Sequence, residues 1–472
     1  KGCCHMAAAF SLRKEYQMTG KNERKLKKWA ALFLAAAMSL TACGSTASTG
    51  SSTSSASGTS AVSESSTSTA SAADVSESQT ESTSVSESTA ESESTSEATA
   101  ESSTSGSDTA SADGFATTDD VSDAPDITGI TIESKMVLNY AECFNVYYCT
   151  DGYKLIDVKD GAQYLLVPDG KEAPDDLDSD VIVIHQPLER IYMAATSPMA
   201  LFDAIDSLDT IRLSGETADN WYVQDAVDAM NAGTMIFAGK YSEPDYEMLV
   251  DEDCDLAIES TMILHTPKVQ EMIEDLDIPV FIDRSSYESH PLGRTEWIKA
   301  YAAMLNKEDV ADTFFEKQTK VIENLKDFKN TGKTVAYFFV NADGTVVVRS
   351  SSDYIPKMIE LAGGKYIFED LGDEEGARST VNMQIEDFYQ GAKDADYLIY
   401  NSTIDGGVSS IEELLDKCEV LKDFKAVKNG DVWCTTNDMY QQSMSMGYLM
   451  QDIHSMLLGE NEQKMKYLFQ LK

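Results

Sequence analysis

From Asp180 to the C-terminus, short apolar runs alternate with amphipathic stretches, and that alternation restricts the chain to few folds. Val181 to Ile184 and Arg190 to Ala195 read as strands, and Pro198 to Ile205 as a helix with proline in its first turn. Strands at Met235 to Ala238, Asp255 to Ile258 and Pro279 to Ile282 alternate with helices at Tyr246 to Val250 and Pro267 to Leu276. Four-residue apolar runs set between helices predict a parallel sheet covered on both faces. The pattern restarts with strands at Thr334 to Val340, Thr345 to Arg349, Tyr397 to Tyr400 and Val432 to Thr435. Helices are predicted at Tyr354 to Leu361, Ile385 to Ala392, Ile411 to Leu415 and Gly447 to Leu457. Between the halves, Glu296 to Leu305 and Asp309 to Phe328 keep helical periodicity without Gly or Pro. Val310, Phe314, Val321 and Leu325 mark the apolar face of the second, about 30 Å long at 1.5 Å per residue. The expected fold class is α/β: two Rossmann-like lobes with mostly parallel sheets, joined by a long rigid backbone helix.

Upstream, Met136 to Tyr140, Phe144 to Tyr148 and Tyr153 to Ile156 alternate with period two, and Asp151-Gly152 is a hairpin turn signal. They predict a small N-terminal antiparallel β element. Gly44 to Pro125 contains one aromatic residue, Phe115, and almost no branched aliphatics. Such a tract cannot bury enough apolar surface to offset chain entropy, so it is expected to be a disordered spacer. At 5–6 Å × √n its span is about 50 Å. Lys21, Arg24, Lys25, Lys27 and Lys28 precede an apolar run from Trp29 to Leu40, too short to cross a bilayer. Leu40-Thr41-Ala42-Cys43 then resembles a bacterial lipobox, which implies lipidation of Cys43. The expected organisation is 1–17 an upstream segment foreign to a native start, 18–42 a signal peptide, 43–125 the lipidated cysteine and linker, 126–180 the β element, 181–305 the first lobe, 306–332 the backbone helix and 333–472 the second lobe.

The formal net charge is -43. No basic stripe offers phosphate neutralisation, so nucleic acid is excluded as a partner. Cys143, Cys149, Cys254, Cys418 and Cys434 show no CxxC or Cys/His ligand spacing, which argues against a zinc ribbon or disulfide scaffold.

Four segments carry a resemblance: Tyr241 to Leu249 leading to Cys254-Asp-Leu-Ala-Ile258; Ser289-His-Pro-Leu-Gly-Arg-Thr-Glu-Trp297; Asp394 to Tyr400; and Leu421 to Val432. In this order they resemble the class III substrate-binding proteins of ABC importers, which take iron–siderophores, haem or vitamin B12. The resemblance implies a lipid-anchored, extracytoplasmic, monomeric receptor that does no catalysis and has no intrinsic cofactor. Its ligand is a ferric chelate, haem or corrinoid, and its partners are a permease and an ATPase. It implies one permease-docking glutamate per lobe, at Glu247 and Glu386, since Arg–carboxylate pairs are strong contacts.

Ligands of open α/β sheets sit beyond the carboxyl ends of the strands. On the first lobe this points to Thr196, Ser197, Met199, Lys240, Tyr241, Ser260, Arg284, Tyr287 and His290. On the second it points to Arg349, Tyr354, Arg378, Asn401, Met439 and Tyr440. Arg284, Arg349 and Arg378 are cleft cations or structural ion pairs on this reading. His265 and His290, with Glu259 or Glu288, are candidate ligands of a bare transition metal, or else packing and helix-start residues ahead of Pro267 and Pro291. A chelatase-like enzyme and a surface adhesin are the competing functions; no GxSxG, HExxH or P-loop is present to support catalysis.

Overall fold

In the computed structural model the described residues are 109–110, 115–159, 161–323, 329–372, 379–404, 406–460 and 465–472, all within the unit Gly106–Lys472. The signal-peptide segment, Cys43 and the spacer up to residue 108 lie outside them.

The first layer is a seven-stranded sheet: β1 (Thr109–Ala110), β2 (Ala116–Thr118), β3 (Ile132–Met136), β4 (Phe144–Cys149), β5 (Lys154–Val158), β6 (Gln163–Val167) and β7 (Val181–His185). Neighbours are antiparallel except β6 and β7, which run parallel. The β4–β5 hairpin turns at Asp151 (φ 64) and Gly152 (φ 83), the left-handed backbone that Asp-Gly supplies. The expected element was smaller, and Val181 to Ile184 was expected in the first lobe. Its residues pack on both sides of the sheet, Ile182 and Ile184 in one cluster and Val181 and Val183 in another. A run apolar on both faces looks the same in either sheet.

The first lobe holds a wholly parallel five-stranded sheet, ordered β10-β9-β8-β13-β14. Its strands are β8 (Ile191–Met193), β9 (Ile211–Ser214), β10 (Ile236–Phe237), β13 (Leu256–Ser260) and β14 (Val280–Asp283); β11 (Gly239–Lys240) and β12 (Glu243–Pro244) form a separate ribbon. Helices α1 (Met199–Ala204), α2 (Gln224–Ala232), α3 (Tyr246–Asp251) and α4 (Pro267–Glu274) connect them. The Ile282 amide on edge strand β14 donates to the Tyr164 hydroxyl on β6 (3.2 Å), so the N-terminal sheet caps that edge.

The connecting region is three helices rather than one strut: α5 (Pro291–Glu296), α6 (Ile298–Leu305) and α7 (Glu308–Glu323). Asn306 at φ 55 ends α6 with a left-handed residue. The described helix α7 is about 24 Å long at 1.5 Å per residue, and its expected extension to Phe328 lies outside the described residues. Its core face is Ala311, Phe315 and Ile322, one position on from the expected Val310, Phe314 and Val321; Val310 is exposed. Both sets satisfy helical spacing, and packing of Phe315 on Tyr140 and Lys299 selects the former.

The second lobe is a mixed sheet of β15 (Thr334–Val340), β16 (Val346–Arg349), β17 (Lys365–Tyr366), β18 (Thr380–Met383), β19 (Tyr397–Tyr400), β20 (Val432–Thr435) and β21 (Leu468–Gln470). Strands β17, β15, β19 and β20 are parallel to one another, whereas β16, β18 and β21 join antiparallel, so the expected parallel sheet holds for its centre. Helices α8 (Tyr354–Leu361), α9 (Ile385–Ala392), α10 (Ile411–Lys417), α11 (Lys425–Asn429) and α12 (Met446–Leu458) cover it. One apolar cluster runs from Phe144 through Trp297 and Tyr301 to Ile355 and Met450, so the N-terminal sheet and both lobes share a core at the hinge.

Candidate functional site

The carboxyl ends of the parallel strands of both lobes meet at a seam. On the first lobe the loops after β8 and β9 supply Ser197, Asn220 and Tyr222; on the second, the loop after β20 supplies Tyr440, Gln441 and Ser443. Gln441, buried, donates to the Asn220 carbonyl (2.7 Å) and accepts from the Tyr222 amide (2.8 Å). Ser443 donates to the Ser197 carbonyl (3.0 Å), and its own carbonyl accepts from Thr295 (2.9 Å).

Behind these contacts lies a chain of buried charges. The Arg294 guanidinium stacks 4.3 Å over the Tyr354 ring and attracts both Asp283 of the first lobe and Asp353 of the second. Burial pushes the Asp283 carboxyl up, opposed by hydrogen bonds from Ser285 and Tyr301 and by Arg294. Burial likewise raises Asp353, opposed first by Arg349, whose guanidinium lies 3.4 Å away. Arg349 also faces the rings of Tyr337 and Tyr354, so its charge is neutralised inside the lobe. Of the two readings left open for Arg349, the structural ion pair is the one observed.

Other expected cleft residues separate by exposure. Met199, Tyr354, Asn401 and Met439 are buried and form the floor rather than the surface. Asn401 shapes its own loop by accepting from the Thr403 amide (3.2 Å) and hydroxyl (2.8 Å). Lys240 is exposed, while Thr196, Ser197, Tyr241, Ser260 and Tyr440 are half-buried. Arg284 is half-buried with its guanidinium 5.7 Å from the Tyr287 ring, and its Nε is closed from solvent without a hydrogen-bond partner. Tyr287 is 48% exposed. Arg378 lies outside the described residues. Glu247 and Glu386 are exposed in the first turns of α3 and α9.

The segment from Ser289 to Trp297 turns out to be a structural junction. His290 Nδ1 caps α5 by accepting from Leu292 N (3.1 Å), and the ring stacks on Tyr140. Burial lowers its pKa to about 4, so it is neutral at pH 7. Buried Glu296 accepts backbone N–H groups of Asn139, Tyr140 and Ala141 (2.8–3.0 Å). Glu288 holds Glu142 N (2.8 Å), Cys143 N (3.0 Å) and the Trp297 indole (2.8 Å). A Cβ on Gly293 would stand 3.0 Å from both Glu288 Oε2 and the Tyr140 carbonyl, so any larger residue would press on this close approach. Glu288 thereby clamps the loop 142–143 to the start of the helical region. His265 is exposed in the turn ahead of α4, and among the described residues no three His, Cys, Asp or Glu side chains gather as a metal site.

Two cavities of about 480 Å³ each lie along the seam. One is lined by Ser289 and His290 together with Ser351, Ser352, Asp353, Lys357 and Lys365. The other is lined by Tyr222 of the first lobe together with Ser402, Gly406 to Ser409, Glu413, Thr436 and Asp438 of the second. Tyr222, Met262, Leu264, Tyr287 and Ile404 are among the large apolar side chains left exposed, and all five stand on loops beyond the carboxyl ends of parallel strands. Sequence reasoning missed Tyr222 and Arg294 as seam residues, whereas Gln441 and Ser443 lie in the loop Asn437 to Met446 that it placed at the cleft. Tyr222 had a usable signal, an aromatic beside Trp221.

The family described as Periplasmic binding protein matches residues 172–439. Among curated proteins, the chain is 28% identical over 334 residues to an uncharacterized lipoprotein of Methanocaldococcus jannaschii, covering 65% of this chain and 77% of the relative. It is similar in structure to an ABC transporter substrate-binding protein from Listeria monocytogenes, with TM-score 0.45, 15% identity, and coverage of 58% of this chain and all of that one. A periplasmic heme-binding protein of Vibrio cholerae gives TM-score 0.45 and 14% identity over 56% of this chain and 98% of that one. With more than half its length matched, the chain belongs to the periplasmic binding protein family.

Proposed function

We propose that this protein is a lipid-anchored, extracytoplasmic receptor of an ABC importer, capturing a metal chelate at the lobe seam and delivering it to the permease. An iron–siderophore is the favoured cargo, with haem or a corrinoid next. One observation carries the reading: the strand-end loops of two α/β lobes converge on a seam with cavities, and exposed aromatic and apolar side chains cluster on those loops. Such surfaces suit a large ligand with apolar faces, because desolvating them favours capture. The partly exposed Arg284–Tyr287 pair adds a donor set for chelate oxygens. Lipidation of Cys43 rests on the lipobox and on relatives named as lipoproteins. Glu247 and Glu386, exposed one on each lobe, are the proposed docking carboxylates.

The test is a titration of the whole chain with ferric siderophores, haemin and cobalamin, following tryptophan fluorescence. Trp221 adjoins Tyr222 at the seam, so a bound chelate should quench it. Absence of saturable quenching with every compound would remove the receptor reading.

A further inference from the structure

We infer that the seam cavity beneath Tyr222 is a subsite for an organic cation, an ammonium group either free or carried on the cargo; for the second source the inference rests on the receptor reading above. The cavity lining includes the carboxylates of Glu413 and Asp438 and no lysine or arginine. The Tyr222 ring is 43% exposed at its mouth, with Tyr440 edge-on at 6.3 Å and 83°. Glu216 of the first lobe adds negative charge close enough to act on the Tyr440 hydroxyl.

Two lysines act on this lining from outside it, Lys417 on Glu413 and Lys466 on Asp438. Lys466, which acts on Asp438, is drawn away over the rings of Tyr448 (5.3 Å) and Tyr467 (4.9 Å). Glu413 accepts the Ser409 amide (2.7 Å) and hydroxyl (2.9 Å), and these bonds hold its carboxyl below the ordinary range, so it is ionised at neutral pH. The second seam cavity differs in kind, since its Lys357 and Lys365 pair with Glu360 (2.9 Å) and Glu369 (2.6 Å). Aromatic faces beside carboxylates attract ammonium groups through the ring quadrupole and through charge. An anionic group would meet the like charges of Glu413 and Asp438 there.

The experiment compares choline with its uncharged carbon isostere dimethylbutanol by calorimetry on the full chain. It also compares ferrioxamine B, which carries a free amine, with its N-acetylated form. The charged member of each pair should bind about tenfold more tightly, the order of one desolvated cation–π contact. That preference should disappear in Tyr222→Leu and in Asp438→Asn, both at positions open enough to solvent to spare the fold. Equal affinities for choline and its isostere, no binding of choline, or a preference that survives both variants would overturn the subsite. Chelates bound without regard to charge would refute the subsite and leave the receptor intact. Choline preferred with no chelate bound would do the reverse, leaving a free ammonium compound as the ligand.

Discussion

Glu259 offers a direct test of the electrostatics of the first lobe. It stands at the carboxyl end of the central region of the parallel sheet, on β13, fully buried, and neither carboxylate oxygen has a hydrogen-bond partner. Its field reaches the hydroxyls of Tyr192 and Tyr246. Burial pushes the carboxyl well above the 4.5 of an unperturbed glutamate. The folded state therefore holds a proton that the unfolded state has released once pH exceeds 4.5. Stability from this group is fully present below that pH and declines as pH rises towards the folded-state pKa. The slope is about 1.4 kcal/mol per pH unit for one proton. Glu259→Gln keeps the shape and remains neutral throughout. An unpartnered buried amide costs roughly 1–3 kcal/mol, but that cost is a constant offset with pH. Urea unfolding from pH 4.5 upwards, followed through the buried indoles of Trp221, Trp297 and Trp433, should show the wild type losing its advantage over the variant with that slope. Parallel stability curves would refute the reasoning, because they would mean that solvent or a partner group already stabilises the ionised form.

Charge reversal of Glu247 and Glu386 together should abolish uptake in cells while affinity for the cargo is unchanged; a parallel loss of affinity would contradict their assignment to permease docking. Glu296→Gln removes a carboxylate that holds three successive backbone N–H groups and pairs with Lys299 (3.1 Å). It should lower unfolding free energy by about 2–3 kcal/mol, measured by denaturant titration, and a change within error would deny the clamp its role. Cys43→Ser should move the protein from the membrane fraction to the soluble fraction; continued membrane association would exclude lipid as the anchor.

Four strands and four helices of the second lobe were legible almost residue for residue because each bears one strong local signal, whereas β17, β18, β21 and α11 were not foreseen. Tyr354–Leu361 follows the capping carboxylate of Asp353 and stops ahead of Gly363, and Tyr397–Tyr400 is a four-residue run buried throughout. Pairing direction was not legible, since β16 and β18 carry the same β-branched composition whether they run with or against β15. The site was harder for a related reason. Position beyond a strand end says that Arg349 and Met439 belong to the right loops. It does not say that Arg349 turns inward onto Asp353, or that Met439 is a floor residue. The first outcome depends on how the strand end turns into the helix that carries Asp353 and Tyr354, and the second on a further face of packing. Tyr222 escaped notice because its significance comes from Gln441 and Tyr440, which reach it from the other lobe.

One of the four segments that carry the resemblance, Ser289 to Trp297, places its constraint where the two lobes and the N-terminal sheet meet. Glu296, with the preceding Glu288, fastens the loop 139–143 of the N-terminal sheet, Arg294 lies between acidic groups of the two lobes, and Thr295 anchors the Ser443 carbonyl. Three buried polar residues in one nine-residue stretch, with Glu288 just ahead of it, can be tolerated only when each finds a partner, and the partners here come from three separate sheets or their loops. That geometry couples the lobe spacing to the added N-terminal layer. Arg294 over Tyr354 joins the two lobes within this network, and the strand-end loops at the seam that carry the exposed aromatic residues stand outside it.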